Sequence, residues 1–183
     1  MSDAILLRIA KTAILSKFDN NYKLDEESLL KEYPFLDKDG AVFVTLKYDN
    51  DLRGCIGSIV AHQRLFDDIV HNAKSAGFGD PRFAPLRSDE LSHLTLEVSV
   101  LSEPKILEYE DYEDLLAKVQ PNIDGLILKH SHYQGTFLPQ VWEQLPNKVD
   151  FLEHLSQKAG LTTDAWKKSE FFVFTVFHFE SDF

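Results

Sequence analysis

The chain has 183 residues, of which 44% are hydrophobic and 27% are charged, a balance typical of a folded globular protein. Its formal net charge of −11 argues against a surface built to bind the phosphates of nucleic acid. A single cysteine excludes a disulfide within the chain, and no stretch reaches the roughly 20 apolar residues of a membrane-spanning helix, so we expect a cytoplasmic protein without membrane or nucleic-acid partners.

Two helices are predicted near the N-terminus, over residues 4–33. Apolar residues recur at helical spacing from Ile5 to Phe18 and define the first helix. The second is shorter, is capped by Asp25 and stops before Pro34, because proline cannot continue a helix. We expect both helices to pack on the domain that follows.

A β-hairpin is predicted next. Residues 40–48 are rich in β-branched and aromatic side chains, and the turn formers Asp49, Asn50 and Asp51 follow them. A second strand then runs from Leu52 to Val60. It carries the string LRGCIG at residues 52–57, which contains the only cysteine of the chain.

The residues around Cys55 have two interpretations. In an extended strand Arg53 and Cys55 share one face while Ile56 points to the other, and a guanidinium beside a thiol favours the reactive thiolate. Gly54 and Gly57 have no Cβ, which lets a ligand or another backbone segment approach closely. Alternatively, Cys55 is a small buried hydrophobe, as free cysteines often are, and spacing alone does not decide between the two.

A helix and a loop with candidate ligand-binding residues come after the hairpin. Apolar residues from Leu65 onward predict a helix that ends near Gly77, and the glycine- and proline-rich segment 77–86 predicts irregular structure. Within that loop Asp80 and Arg82 either form an ion pair that orders the turn or leave Arg82 free to bind an anionic ligand. Phe83 adjoins them as a further candidate ligand contact.

The remaining elements complete an α+β prediction. Alternating apolar residues predict a central strand over 93–101, and a helix is expected over 109–119. Strands over 125–130 and 135–138, a helix ending at Gly160 and one core strand over 171–179 follow. Antiparallel hairpins with flanking helices, without regular βαβ alternation, favour a mostly antiparallel sheet of the α+β class.

No metal or cofactor site is predicted. Only His130 and His132 have a spacing that places two rings on one face of a strand, and no carboxylate or thiol completes a ligand set there. A cysteine nucleophile needs a histidine that the fold brings to it. By topology alone, His62, His71 and His93 are the candidates.

Several segments together resemble the AMMECR domain family, whose bacterial branch is called AmmeMemoRadiSam system protein A. The resemblance begins with GAVFVTL at 40–46 and LRGCIG at 52–57, and the pieces occur in the family's order over about residues 38–180. Further matching pieces are DPRF at 80–83, EVSVL at 97–101, DGL at 124–126, FLPQVW at 137–142 and KAGL at 158–161. Ala84 departs from the proline that many members carry. We therefore expect one AMMECR-type domain over residues 1–183.

The resemblance implies a fold but no established activity. Members are described as α+β proteins with a larger and a smaller lobe, and the segment of Arg53 to Gly57 lies near a cleft between them. Members are similar to proteins encoded beside, or fused to, a Memo-like protein and a radical S-adenosylmethionine enzyme. By analogy, this chain is expected to be one component of such a system.

Two hypotheses follow. The first is a binding or partner domain that docks on the Memo-like protein or the radical enzyme. The second is an enzyme with Cys55 as nucleophile or redox thiol, Arg53 activating it and the Asp80–Arg82 loop closing over an anionic substrate. We favour the first, because the sequence supplies no general base at an informative spacing.

Overall fold

The computed structural model describes residues 3–183 and shows an α+β protein, as predicted, whose antiparallel strands form two sheets. The helices are α1 (Asp3–Leu15), α2 (Glu26–Glu32), α3 (Leu65–Phe78), α4 (Tyr112–Lys118) and α5 (Lys148–Lys158). The strands are β1 (Asp39–Tyr48), β2 (Asp51–Gly57), β3 (Gln63–Arg64), β4 (Leu94–Leu101), β5 (Lys105–Ile106), β6 (Gly125–His130), β7 (Tyr133–Phe137), β8 (Glu170–Phe174) and β9 (Val176–Asp182).

The chain forms two compact units, and the first contains the residues up to Leu101 together with Phe177–Phe183. Its sheet has the strand order β2-β1-β4-β9, and the short β3 pairs with the start of β1. β1 pairs antiparallel with β2 and with β4, and β4 lies between β1 and β9, so β4 is a central strand, as predicted. β2 lies at one edge of the sheet.

Helices cover one face of this first sheet. α1 and α3 pack against each other and against β4 and β1, and their apolar side chains bury the inward-facing residues of those strands. Val44 and Leu46 of β1 and Leu96 and Val98 of β4 are fully buried there. Because side chains alternate along a strand, the intervening residues lie on the opposite face, and these are mainly polar.

The second unit, Ser102–Val176, has its own sheet and its own core. The strand order is β5-β8-β6-β7, and α5 packs against β7. Its core contains both tryptophans of the chain, Trp142 and Trp166. The ring of Trp142 stacks on Phe151 with 3.6 Å between centroids.

Local signals predicted helix and turn boundaries well. Asp25 caps α2 through a hydrogen bond from the Ser28 backbone N–H, and Gly160 follows α5 in the left-handed conformation with φ of +82°. Asp49 and Asn50 both have positive φ, the geometry of a two-residue hairpin turn.

Two predicted strands are wrong in extent. β2 ends at Gly57, and not at Val60. The residues after Gly57 turn toward α3, because buried Asp68 of that helix accepts hydrogen bonds from the side chains of Ser58 and Gln63. The predicted single strand over 171–179 is two strands interrupted at Thr175. β8 pairs with β6 in the second unit, whereas β9 joins the first sheet.

Candidate functional site

Cys55 sits on the edge strand β2, opposite Thr45 of β1. The cysteine is partly exposed, and the Thr45 hydroxyl lies 3.2 Å from Sγ, where it donates to the sulfur. The backbone N–H and C=O of Cys55 bond to groups outside the sheet, so Thr45 and Cys55 form a non-hydrogen-bonded pair, in which side chains approach closely. The sulfur is therefore held on the polar face of the sheet.

An ion pair from the loop after α3 clamps this part of the edge strand. Asp80 Oδ2 accepts from the Cys55 backbone N–H at 3.0 Å, and Arg82 Nη2 donates to the Cys55 carbonyl at 3.2 Å. The two clamp residues also bind each other through Nε to Oδ1 at 2.9 Å and Nη2 to Oδ2 at 2.7 Å. Together they satisfy the outer backbone N–H and C=O of Cys55, which a further strand would otherwise use.

The clamp residues differ sharply in exposure. The Asp80 side chain is 2% exposed, whereas that of Arg82 is 54% exposed. The hydrogen bond from Arg82, supported by the N–H groups of Cys55 and Arg82, outweighs burial and holds the pKa of Asp80 well below its usual range. The ion pair that orders the turn is therefore present, and binding of an anionic ligand by the exposed part of the Arg82 side chain stays a prediction.

Arg53 binds elsewhere. Its Nε donates to Glu90 Oε1 at 2.6 Å, and its Nη2 donates to Glu90 Oε2 at 3.1 Å and to the Ala84 carbonyl at 3.0 Å. This bidentate contact lowers the pKa of Glu90. The expected activation of the thiol by Arg53 stays a prediction, and the guanidinium that touches Cys55 belongs to Arg82.

Phe83 lies beside both guanidinium groups. The Cζ atoms of Arg82 and Arg53 are 5.5 Å and 5.9 Å from its ring centroid, which is within the range of cation–π attraction. The ring thus helps to hold two cationic side chains next to the Cys55 segment.

The other residues of the LRGCIG string pack against the protein. A Cβ on Gly54 would lie 2.1 Å from the carbonyl oxygen of Ala76, so α3 approaches the strand where Gly54 stands. A Cβ on Gly57 would lie 2.3 Å from the Phe43 ring, and Ile56 packs against the core. At Gly54 the close neighbour is therefore another backbone segment.

Comparison with known proteins decides the family. The sequence profile of the AMMECR1 family matches residues 7–179 of this chain. The chain belongs to the AMMECR1 family. The match starts well before the motifs of the β1–β2 hairpin and includes most of α1.

AMMECR1-family relatives match over nearly the whole chain. Protein MK0488 of Methanopyrus kandleri is 36% identical, with 97% of this chain and 87% of that protein covered. Protein SSO0193 of Saccharolobus solfataricus is 40% identical, with 90% and 74% covered. The crystal structure of the uncharacterised protein PH0010 from Pyrococcus horikoshii has a TM-score of 0.80 and 31% identity, with 98% of this chain and 91% of that chain covered.

None of the histidines expected near Cys55 bonds to it within the described residues of this AMMECR1 chain. His62 contacts the carbonyl of its neighbour Val60, and His93 contacts Asp49 while stacking on Tyr48. His71 is exposed on α3. None of these three imidazoles therefore lies where it could accept the thiol proton directly.

The described part of the chain shows neither a metal-ligand cluster nor a membrane-spanning helix. Over residues 3–183 no three His, Cys, Asp or Glu side chains converge as a metal site, and His130 contacts Ser169 in the second unit. No helix in the same range has the length and apolar character needed to cross a membrane.

The AMMECR1 chain carries a polar cluster that sequence reasoning missed. Thr45 pairs with Cys55 of β2 on one side and with Glu97 of β4 on the other, so the side chains of Cys55 and Glu97 lie on the same face of the sheet. Glu97 contacts Ser99 and His178, which extend the polar surface to β9. In the sequence, residues 97 and 99 belong to an alternating strand and to the family-like segment EVSVL, but no local signal connects them to a histidine 79 residues beyond Ser99.

Proposed function

We propose that this AMMECR1-family chain is a binding domain whose site, formed by Cys55, Arg82 and Phe83, holds an anionic group of a ligand or protein partner. The observation that carries the proposal is the clamp: buried Asp80 fixes the Arg82 guanidinium beside Cys55 while half of the arginine side chain stays exposed. A preoriented guanidinium binds a carboxylate or phosphate without losing further side-chain entropy.

The partners that we propose are a Memo-like protein and a radical S-adenosylmethionine enzyme. Membership of the AMMECR1 family supports this proposal by analogy. The net charge of −11 restricts the surface of a partner, since a surface that docks on this chain must tolerate or complement its negative charge.

The ligand part is tested with inorganic phosphate as the probe. Amide chemical shifts of the full chain are followed by NMR during a phosphate titration, and we expect saturable shifts at Arg82 and Cys55. Arg82→Gln should abolish them, whereas Arg87→Gln, which changes an exposed arginine paired with Asp89, should not. Phe83→Ala keeps the ion pair and should weaken phosphate binding. Shifts that do not saturate, or that survive Arg82→Gln, contradict the site.

The partner part is tested separately. The purified chain is titrated calorimetrically with the Memo-like protein and with the radical enzyme from the same organism. We expect binding to at least one, weakened about tenfold or more by Arg82→Gln and unchanged by Arg87→Gln. Binding to neither would refute the partner role but leave the phosphate result standing.

A second candidate function is a cysteine-centred enzyme. The observation in its favour is that Cys55 is partly exposed and its Sγ is held by the Thr45 hydroxyl, which orients the sulfur. Alkylation of the native protein with iodoacetamide across pH tests it. Fast modification of Cys55 near neutral pH, slowed in Thr45→Val, would support the enzyme; reaction only after denaturation would exclude it.

A further inference from the structure

Four polar side chains form a cluster on the sheet face opposite the helices, on strands β1, β4 and β9. Ser99 Oγ donates to Glu97 Oε1 at 2.9 Å. His178 Nδ1 lies 2.8 Å from Ser99 Oγ and 3.2 Å from Glu97 Oε1. Lys47 Nζ donates to the other carboxylate oxygen of Glu97 at 3.1 Å.

These contacts fix which ring nitrogen carries the proton. The ionised Glu97 carboxylate can only accept a hydrogen bond, and its Oε1 lies 3.2 Å from Nδ1. With the Ser99 hydroxyl proton directed to the same Oε1, Ser99 also accepts from the ring. Nδ1 faces both oxygens and must be the N–H nitrogen. In the neutral ring the lone pair consequently lies on Nε2.

The free nitrogen is available to a ligand. Nε2 takes part in no hydrogen bond among residues 3–183, and the His178 side chain is 43% exposed. Because Ser99 is buried and contacts the same ring nitrogen as Glu97, the three residues do not have the geometry of a nucleophilic triad, which uses both ring nitrogens. The arrangement is that of a carboxylate-oriented base.

Charge around the ring supports that arrangement. The Glu97 side chain is 16% exposed. Burial by itself raises the pKa of Glu97, but hydrogen bonds from Ser99 and Lys47 outweigh it and bring the value below normal. Lys47 is in turn held by Glu180 at 2.5 Å, and that contact raises the lysine pKa. The charged groups facing His178 from its own and neighbouring strands are thus Glu97, Lys47 and Glu180.

We infer that His178 is a proton acceptor for a ligand that lies over β4 and β9 and presents a hydroxyl or protonated amine. Nε2 accepts the hydrogen bond from that donor. When the proton transfers to Nε2, the net charge of the ligand falls by one and the ring becomes an imidazolium that faces the Glu97 carboxylate. Glu97 and Ser99 are positioning residues that keep Nδ1 protonated and Nε2 free.

This site is distinct from the one at Cys55 and Arg82. The order β2-β1-β4-β9 separates Cys55 from His178 by three strand spacings, about 14 Å along the sheet. The histidine therefore does not take the thiol proton. Its role stands whether or not the phosphate and partner experiments succeed, because they depend on Arg82.

The tautomer is tested by NMR on the full chain labelled with ¹⁵N-histidine, using two-bond correlations recorded at alkaline pH. His178→Gln assigns the signals. We expect His178 in the Nδ1–H form in the wild type and a shift toward the Nε2–H form in Glu97→Gln and Ser99→Ala. His71, exposed on α3, is the internal reference and should not change. An Nε2–H ring in the wild type, or no change in either variant, would overturn the inference.

Access to Nε2 is tested by acylation with diethyl pyrocarbonate, followed by mass spectrometry of the peptides. We expect His178 to be modified at a rate within a few-fold of exposed His71 and the modification to be lost in His178→Gln. If His71 reacts while His178 stays unmodified, Nε2 is closed to ligands and the proposal fails. The wild-type protein suffices for that comparison, so a variant that folds poorly does not weaken the test.

Discussion

At the scale of single residues, Asp80 has the clearest structural role. Its buried carboxylate accepts hydrogen bonds from the Arg82 guanidinium and from the backbone N–H groups of Arg82 and Cys55. The carboxylate thus joins the loop after α3 to the edge strand β2. Its removal leaves partly buried donors without this acceptor, which costs more than the hydrogen bonds themselves contribute.

Asp80→Asn should lower the free energy of unfolding by about 1–3 kcal/mol, a range that allows for the solvent exposure of Arg82. Urea unfolding at pH 7 measures it. The control is Asp89→Asn, which changes an equally close ion pair with Arg87 in which both side chains are exposed. It should have no measurable effect. Equal losses of unfolding free energy in the two variants would show that the stabilisation by Asp80 does not depend on its burial.

The same carboxylate predicts a pH dependence. Its pKa in the folded protein is below the ordinary value that applies to the unfolded chain. The stabilisation is therefore complete above about pH 4 and is lost as the pH falls further toward the folded pKa. The difference in stability between wild type and Asp80→Asn should shrink on acidification from pH 5 to pH 3. A constant difference over that range would contradict the assignment.

At the scale of elements, the contact of β2 with α3 depends on Gly54. A Cβ there would lie 2.1 Å from the Ala76 carbonyl oxygen, so Gly54→Ala must push the helix from the strand and should destabilise the fold by at least about 2 kcal/mol. Gly77→Ala is the matched control, because its Cβ would meet side chains at 3.7 Å or more and it lies within α3. It should be neutral or stabilise by up to about 1 kcal/mol. Thermal unfolding followed by circular dichroism distinguishes these outcomes.

Elements set by local signals could be read from the sequence. The β1–β2 turn depends on adjacent Asp49 and Asn50, and the ends of α2 and α5 depend on Asp25 and Gly160. The terminal segment could not be read in this way. In the sequence, the apolar run over 171–179 looks like one core strand. β8 and β9 are separate strands because β8 pairs with β6 and β9 pairs with β4, and the break between them falls at Thr175.

The candidate site shows the same limit. The sequence placed Asp80 near Arg82 and identified Cys55 as the residue to examine. It did not show that the pair would bind the Cys55 backbone, because 25 residues and a helix separate them. The polar cluster at His178 requires strands far apart in the chain to become neighbours. Such contacts arise from sheet topology, and no spacing rule in one sequence encodes them.

At the scale of the whole molecule, the region that matches the AMMECR1 family contains two separate cores. The assignment of residues 1–183 to a single domain stays a prediction, while the described part of the chain divides at Leu101 and Phe177. The ends of the second unit are held together within that unit. Ser102 N–H donates to the Thr175 carbonyl at 2.8 Å, and Thr175 N–H donates to Ser102 Oγ at 2.9 Å. A segment whose ends meet can form an independent folding unit.

We therefore expect residues 102–176, expressed alone, to fold with a stability of at most about 3–5 kcal/mol, the range for a core of this size. Both tryptophans lie in this segment and are 1% exposed, so blue-shifted fluorescence and a cooperative urea transition report its folding. Phe151→Ala removes the ring stacked on Trp142 and should cost about 3–5 kcal/mol, enough to unfold the isolated segment. An unfolded wild-type segment would mean that its sheet depends on the rest of the chain. Folding of the wild type together with loss of structure in Phe151→Ala would establish that this core alone holds the second unit.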